Sequence, residues 1–265
     1  MKEFILRYQR HITLSGFGIE AQEKLSKAKV LVIGAGGLGC PALQYLVAAG
    51  VGEIGIVDGD TISLPNLNRQ ILYGQADIGK YKVVVASEKL QALNNLVCIN
   101  VFQNKCDQAF AIEHFPNYDI IIDATDNFAS RYLINDACVL MNKPLVFGAV
   151  SQFEGQVAVF NVEQNGGRIN YRDIFPEPPK NDEVLSCAEG GVLGVLPGMI
   201  GVMQATETIK LITGIGTTIV NQLLTYNGLT QEMYKIHLVK NPIAIDFTPK
   251  SIVEFESLNY EWLCS

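Results

Sequence analysis

The sequence lacks the features that mark membrane, secreted and nucleic-acid-binding proteins. It contains no uninterrupted apolar run of about 18 or more residues, and its first residues, MKEFILRYQR, do not form a signal-peptide pattern. It also contains no run of basic residues, and its formal net charge is −7. We therefore expect a cytoplasmic protein with neither a membrane nor a nucleic acid as its partner.

Closely spaced cysteines are also missing. The 6 cysteines include no C-x-x-C pair, and they are Cys40, Cys98, Cys106, Cys138, Cys187 and Cys264. Zinc ribbons and small disulfide scaffolds depend on such pairs or on a dense cysteine framework. We expect neither, and most of these thiols should be small buried side chains.

The most informative stretch lies between residues 30 and 60. Residues 30–33 predict a strand, GAGGLG then matches G-x-G-x-x-G, an apolar helical pattern follows, and a second predicted strand ends at a carboxylate. Glycines let phosphate approach the backbone, a helix start presents N–H groups, and the carboxylate can accept ribose hydroxyls. The unit predicts a nucleotide site, without distinguishing NAD, FAD and ATP, at Gly34, Gly36, Gly37, Gly39 and Asp58.

The segment after Asp58 is long and polar for a connection into a helix. Residues 59–70 include a proline and Arg69, and connections of this length are often functional. The next helical pattern opens near Lys82, where a cation opposes the helix dipole. An anionic neighbour would explain Lys82 at this place, and an ordinary surface lysine is the alternative.

A second polar cluster follows the buried strand predicted at 118–123. Asp123 and Asp126 stand at its carboxyl end, the edge at which open α/β sheets bind ligands. Asp126 can hold Mg²⁺ beside phosphates, or it can cap the following helix. Asn127 can provide that cap instead and leave Asp126 for the metal.

The second half of the chain predicts an antiparallel extension of the sheet. Strand patterns occur at 144–150, 155–161, 217–226 and 231–238, the last two around the hairpin signal Asn227–Gly228. The predicted fold class is therefore α/β, with a Rossmann-like, mostly parallel sheet that antiparallel strands continue and with helices on both faces.

A long loop at 168–190 carries Cys187 shortly before a helical pattern at 196–212. Such a length inside a compact domain suggests a functional cover. A thiol near a helix start has a lowered pKa, whereas an inert, half-buried thiol is the alternative.

Five segments resemble the MoeB/ThiF family, the bacterial relatives of ubiquitin-activating E1 enzymes. They are GAGGLGCPALQYL, VDGDTISLPNLNRQ, IGKYK, DATDN and CAEGGVLGVLPGMIGVMQATETIK, within residues 5–240. Dehydrogenases do not share NLNRQ or DATDN at these spacings. The resemblance implies an E1-like fold with one adenylation domain at 1–240 and a tail at 241–265. The domain would comprise a nucleotide-binding half, 1–150, and a carrier-binding half, 151–240, with 168–190 as a crossover loop.

The resemblance also implies an activity. Members of the family use ATP and Mg²⁺ to adenylate the C-terminal glycine of a small ubiquitin-like sulfur-carrier protein that ends in GlyGly. They are typically homodimers, and a separate sulfur donor is expected here because no rhodanese domain follows. MoeB acts on the small subunit of molybdopterin synthase and ThiF on the thiamine-pathway carrier. PEPP and CAEGGVLGVLPG favour the MoeB branch without deciding between the two carriers.

Family roles transfer to single positions of this sequence. The four glycines match the ATP loop, and Asp58 matches the acid that binds ribose. The other ATP-site matches are Asn66, Arg69 and Gln70 at the triphosphate, Lys82 at the phosphates, and Asp126 at magnesium with Asn127 beside it.

Two further matches concern the reaction rather than ATP binding alone. Arg10, in RYQRHI, matches an arginine that reaches the partner subunit's site, although by itself it is typical of a solvated charge. Cys187 matches a cysteine that in some members attacks the adenylated carrier. The expected catalytic residues are Arg69, Lys82, Arg10, Asp126 and Cys187.

One departure from the family concerns zinc. Many members hold a structural zinc with two C-x-x-C pairs, but this chain has NYRD at 170–173 and NPIAIDFTPKSI at 241–252. With the four thiolates missing, we predict that no structural zinc is bound.

Two other functions are weaker alternatives. An NAD-dependent dehydrogenase would share the glycine loop and Asp58, but it leaves Arg69, Lys82 and the Asp126–Asn127 pair unexplained. A non-catalytic scaffold with the same fold would not need the matched ATP-site residues.

Overall fold

The computed structural model describes residues 2–164, 167–179 and 191–260. One eight-stranded sheet forms the centre of this part of the chain. Its strands are β1 (Lys29–Ile33), β2 (Glu53–Val57), β3 (Cys98–Phe102), β4 (Ile120–Asp123), β5 (Leu145–Ser151), β6 (Glu154–Phe160), β7 (Gln222–Asn227) and β8 (Met233–His237). The described helices are α1 (Lys2–Arg7), α2 (Gln9–Ile12), α3 (Gly18–Lys27), α4 (Gly39–Ala49), α5 (Lys82–Leu93), α6 (Gln108–His114), α7 (Phe128–Leu140), α8 (Tyr171–Ile174), α9 (Val195–Thr213), α10 (Ala244–Phe247) and α11 (Ile252–Ser257).

The strand order is β3-β2-β1-β4-β5-β6-β7-β8. The first five strands in this order are parallel, and β6, β7 and β8 continue the sheet antiparallel. Ile33, the last residue of β1, lies opposite Val57 of β2 and Asp123 of β4. The carboxyl ends of these three strands therefore meet at one edge. We call this edge the carboxyl rim, and it comprises residues 34–39, 58–60 and 124–127.

Alternating side chains of the strands point into two separate cores, as the pleat requires. Val30 and Val32 of β1 pack on the face that α3, α4, α5 and α9 cover. Leu31 and Ile33 pack on the other face, against α6, α7 and residues of the carboxyl-terminal segment. The predicted fold class, a mostly parallel sheet with antiparallel strands and helices on both faces, is confirmed.

The antiparallel half differs from the prediction in detail. The strand expected at 217–226 begins only at Gln222, and the connection from Asn227 to Met233 is longer than a two-residue hairpin turn. The Asn227 side chain caps this turn by accepting the backbone N–H groups of Leu229 and Thr230. The described part of the predicted 168–190 loop also contains the helical turn α8.

The amino-terminal helices α1 and α2 lie at the far end of α4 and α5 from the carboxyl rim. The ring of Tyr8 packs against Gly50, where α4 ends, and Asn94 donates a 2.8 Å hydrogen bond to the Tyr8 hydroxyl where α5 ends. No described helix has both the length and the apolarity that crossing a bilayer requires.

Candidate nucleotide site

The glycine turn occupies the centre of the carboxyl rim because side chains would not fit there. Gly34 has a φ of +99°, and a Cβ at this position would lie 2.6 Å from the carbonyl oxygen of Ala124. A Cβ on Gly39 would overlap the carbonyl oxygen of Gly34. These two glycines therefore let β1, the start of α4 and the chain after β4 converge, with the N–H groups of the α4 start at the rim.

Cys40 and Tyr73 fasten the turn from inside. The Tyr73 hydroxyl donates a 2.8 Å hydrogen bond to the carbonyl oxygen of Ala35, and the Cys40 thiol donates to the same oxygen at 3.4 Å. Burial raises the pKa of the Cys40 thiol to about 12, so this thiol stays protonated as the donor at neutral pH.

Asp58 joins the second strand to the glycine turn. One carboxylate oxygen accepts the N–H of Ala35 at 2.8 Å, and the other accepts the N–H of Asp60 at 2.8 Å. Each oxygen keeps a second lone pair, so the carboxylate can still accept ribose hydroxyls. Burial raises the pKa of the Asp58 carboxyl, and the nearby Lys82 ammonium opposes this increase.

Lys82 is a buried cation at the start of α5. Its Nζ atom lies 2.8 Å from Asp60 Oδ2 and 3.8 Å from Asp58 Oδ2, and the residue is 5% exposed. The alternative of an ordinary surface lysine is therefore wrong. The sequence predicted an anionic neighbour for Lys82 at the start of a helix. Within the described chain, the carboxylates of Asp58 and Asp60 are that neighbour.

The polar segment 59–70 brings Arg69 and Gln70 to the glycine turn. A Cβ on Gly37 would lie 3.5 Å from Arg69 Cγ, and one on Gly36 would lie 3.6 Å from Gln70 Nε2. The Arg69 guanidinium donates to the carbonyl oxygen of Pro65 at 3.0 Å.

Asn66, in the same segment, has a local structural role in this conformation. Its side-chain oxygen accepts the N–H of Ser63 at 3.0 Å, and its carbonyl oxygen accepts the N–H of Gln70 at 2.9 Å. Asn66 therefore shapes the segment that carries Arg69 and Gln70 to the rim.

The chain after β4 supplies the acidic side of the rim. Asn127 accepts the N–H of Ser130 at 2.9 Å and caps α7. The cap is therefore Asn127 and not Asp126, as the magnesium interpretation of Asp126 requires. Asp126 is exposed beside this cap. Carboxylates are ligands that Mg²⁺ accepts, so the chemistry of Asp126 is compatible with the predicted metal role.

Asp123 is fully buried behind Asp126 and orders the turn. Its Oδ1 atom accepts both the N–H and the hydroxyl of Thr125, at 2.9 and 2.7 Å, whereas no described group bonds to Oδ2. Burial raises the pKa of the Asp123 carboxyl, and the Arg131 guanidinium opposes that increase.

One predicted site residue, Arg10, is not brought to this rim. Arg10 lies on α2, next to the Tyr8 contacts at the opposite end of α4, and α4 alone spans about 16 Å. Arg10 therefore lies far from the site of its own chain. Cys187 lies outside the described residues.

Sequence reasoning missed three residues that shape the site. Asp60 pairs with the Lys82 ammonium. Its position two residues after Asp58 was the sequence feature that could have indicated this role. Gln204 is fully buried and donates to the carbonyl oxygen of Asp123 at 2.6 Å; its signal was a polar residue in an apolar helix. Pro197, at the start of α9, is the nearest group to a Cβ on Gly37 and carried no signal.

Chemically, the arrangement can bind a phosphorylated ligand. The glycine turn offers backbone N–H groups, Arg69 and Lys82 offer positive charge, and Asp58 can anchor a sugar. No His–Asp or Tyr–Lys hydride-transfer set is placed at the rim within the described residues.

Comparisons with known proteins identify the family of this chain. The ThiF family matches residues 8–243. A sulfur carrier protein adenylyltransferase from Thermus thermophilus is 45% identical over 262 residues, which cover 97% of this chain and 97% of that protein. A probable adenylyltransferase/sulfurtransferase MoeZ from Mycobacterium tuberculosis is 46% identical over 264 residues, 99% of this chain. This chain spans 66% of the length of MoeZ. A probable molybdopterin-synthase adenylyltransferase from Porphyra purpurea is 43% identical over 247 residues, which are 93% of this chain and 64% of that protein.

The same architecture occurs among solved structures. Escherichia coli MccB, crystallised with ATP, aligns with a TM-score of 0.78 over 89% of this chain and 72% of MccB, at 22% sequence identity. At this low sequence identity the likeness to MccB shows the fold alone, whereas the relatives above are similar in sequence along most of the chain. The chain belongs to the ThiF family.

Proposed function

We propose that this protein is an ATP-dependent adenylyltransferase of a ubiquitin-like sulfur-carrier protein. It activates the carrier's C-terminal glycine carboxylate as an acyl-adenylate and releases pyrophosphate. The observation that carries the proposal is the carboxyl rim, where the glycine turn, Arg69, Lys82 and Asp126 occur together on a ThiF-family chain. The relatives named as sulfur carrier and molybdopterin-synthase adenylyltransferases support it.

The main chemical difficulty of this reaction is the approach of two anions. The carrier carboxylate attacks the α-phosphorus of ATP, and the bond from that phosphorus to the bridging oxygen breaks. Arg69 and Lys82 neutralise charge on the phosphates as it develops. Asp126 would hold Mg²⁺, which, when bound, adds positive charge at the phosphates. No general base is required because the attacking carboxylate is ionised at neutral pH.

Positioning supplies much of the remaining rate acceleration. Asp58 would fix the ribose, and the N–H groups of the glycine turn would fix the phosphates. Asp60 must release Lys82, at least in part, when ATP binds, because Lys82 Nζ now lies 2.8 Å from its carboxylate.

Other parts of the proposal concern partners. The distance between Arg10 and its own rim supports a homodimer in which Arg10 serves the partner subunit's site. Residues 151–240 would bind the carrier, residues 241–265 would form a tail, and a separate protein would donate sulfur. Cys187 would attack the acyl-adenylate and form a thioester with release of AMP, or it would take part in sulfur transfer. We also propose a cytoplasmic location and no structural zinc.

The test is carrier-dependent exchange between ATP and labelled pyrophosphate. The wild-type protein should catalyse exchange only with a carrier that ends in GlyGly. Arg69→Ala should lower exchange by about 10²-fold or more, because a charged donor at the phosphates is lost while the fold remains. Lys27→Ala is the matched control, since Lys27 is an exposed cation at the amino edge of the sheet. Normal exchange by the Arg69 variant would contradict the assigned role.

Two carriers remain to be distinguished. The name of the Porphyra relative favours the small subunit of molybdopterin synthase, whereas the thiamine-pathway carrier is the second candidate. Exchange measured with each purified carrier, at equal concentration, decides between them. Absorbance of a nicotinamide cofactor bound to the purified protein would instead favour the dehydrogenase alternative.

A further inference from the structure

A buried ion pair joins α7 to α8 on the face opposite the long helix α9. The Nε and Nη2 atoms of Arg172 donate to Asp136 Oδ1 and Oδ2, each at 2.7 Å. The Tyr260 hydroxyl donates to Asp136 Oδ2, also at 2.7 Å, and so connects the carboxyl-terminal segment to the same ion pair. The side chain of Asp136 is 0% exposed and that of Arg172 is 6% exposed, so both charges are desolvated and paired.

A second carboxylate joins α8 to the chain after β8. Asp173 Oδ2 accepts the N–H of Asn170 at 2.8 Å and the Lys240 ammonium at 3.1 Å. Asp173 Oδ1 accepts the N–H of Asn241 at 2.9 Å. The Asp173 side chain is 0% exposed, whereas that of Lys240 is 52% exposed. One acid thus connects two segments that are about 70 residues apart in sequence.

These are the segments in which the resemblance implied a structural zinc. The first cysteine pair would fall at Asn170 to Asp173 and the second near residues 241–252. Zinc in proteins takes thiolate, imidazole or carboxylate ligands, so the suitable side chains are Asp173 in the first stretch and Asp246 in the second. Two carboxylates are fewer than the four ligands of a structural site, and no group of three or more His, Cys, Asp or Glu side chains that could hold a metal occurs among the described residues. Both oxygens of Asp173 already accept protein donors, and Asn241 contributes its backbone N–H, which cannot bind a metal. The residues present do not fit zinc.

We propose that a metal-free polar clasp does the work of the zinc in this protein. The clasp consists of Asp136, Arg172, Asp173, Lys240 and Tyr260. Through Arg172 and Tyr260 it connects α8 and residue 260 to helix α7, and through Asp173 and Lys240 it connects α8 to the chain after β8. Charge pairing and hydrogen bonds replace metal–ligand bonds, and each buried carboxylate is satisfied by three donated hydrogen bonds or more.

The clasp also fixes the chain that leads toward residue 180. Arg172 donates through Nη1 to the carbonyl oxygen of Pro176 at 2.8 Å, and its guanidinium lies 4.8 Å from the ring of Tyr132. The Tyr132 hydroxyl lies 3.1 Å from the carbonyl oxygen of Phe175 and 2.9 Å from that of Glu177. Hydrogen bonds from Arg172 and Tyr132 therefore fix the path of residues 175–177.

Two measurements on the full chain test the clasp. The first compares the zinc content and the melting temperature of protein prepared with added zinc and of protein treated with dipicolinate. We expect no stoichiometric zinc and the same melting temperature in both. About one equivalent of zinc, whose removal lowers the melting temperature, would overturn the proposal.

The second measurement uses variants. Asp136→Asn should lower the melting temperature by roughly 5 °C or more, because Arg172 is left as a buried charge without its partner. Lys240→Met, a milder change at a half-exposed residue, should lower it by about 1–3 °C and stays informative if the Asp136 variant does not fold. Lys235→Met, on the exposed strand β8, is the matched control and should leave it unchanged. Equal melting temperatures for the Lys240, Asp136 and Lys235 variants would refute the clasp.

Discussion

The carboxyl rim and the polar clasp use similar side chains for opposite purposes. Both contain buried carboxylates and cations, but in the clasp every charge is paired across distant segments. Among the described residues, buried side-chain atoms lack a hydrogen-bond partner in Gln70, Asp123, Arg131, Gln204 and Asn221. Gln70 and Asp123 adjoin the rim, whereas no clasp residue belongs to this set. Buried polar groups are normally satisfied, so the clasp is the more completely bonded of the two regions.

The largest effect should come from the tightest point of the rim. Gly39→Ala forces a methyl group onto the carbonyl oxygen of Gly34, so the glycine turn must open. We expect loss of ATP binding by calorimetry and a melting temperature lower by roughly 5 °C or more. Gly198→Ala, in α9, is the matched control because nothing lies within 4 Å of its added Cβ. A Gly39 variant that binds ATP normally would show that this contact does not shape the site.

A pair of lysines sharpens the contrast between the two regions. Lys82→Met should lower carrier-dependent pyrophosphate exchange by about 10²-fold, since a charge at the phosphates is lost. Its melting temperature should fall as well, because Asp58 is left as a largely buried carboxylate without its cation. Lys240→Met should lower the melting temperature by only about 1–3 °C and keep normal exchange. Exchange and melting curves measured on both variants check this, and a shared loss of exchange would remove the distinction.

The smallest effect is expected at Asp123, and it depends on pH. The pKa of the Asp123 carboxyl is raised by burial. The folded state therefore keeps its proton while the unfolded state loses it above about pH 3.9, and stability falls as pH rises to the folded pKa. Asp123→Asn keeps the acceptor for Thr125 and does not titrate. We expect its stability relative to wild type to rise as pH increases.

Urea unfolding, repeated in steps from about pH 4 upward, measures this difference. Asp136→Asn should destabilise the protein, because the Asp136 carboxylate is paired with Arg172 and Tyr260. A stability difference for the Asp123 variant that stays constant with pH would contradict the interpretation of Asp123 as a buried carboxyl with a raised pKa. The two aspartates thus report separately on the rim and on the clasp.

The rim could be predicted from the sequence because its parts are local. The glycine turn, Asp58 and Asn127 each follow a strand or precede a helix within a few residues, so strand and helix patterns placed them at one edge. The bounds of the parallel strands followed for the same reason. The contact of Asp60 with Lys82 was missed because it depends on the path of a polar segment that no periodicity describes.

The clasp could not be predicted because its members are far apart in the chain. Asp136 sits inside a helix pattern, Arg172 in a loop, and Tyr260 near the end, and none of them belongs to a motif. Only the missing cysteines pointed to this region. They predicted the absence of a structural zinc, but not the polar contacts found in its place. Tertiary contacts between single polar residues leave no periodic signal in a sequence.

The buried thiol of Cys40 has a practical consequence for chemical labelling. Alkylating reagents react with thiolates, and Cys40 keeps its proton well above physiological pH. Among the described free cysteines, Cys98 alone is exposed. Iodoacetamide at neutral pH should therefore spare Cys40 in the glycine turn and, among the described cysteines, modify Cys98 first. In a Cys98→Ser background, mass spectrometry would then detect any adduct at Cys187 or Cys264 while the thiol of the glycine turn stays unmodified.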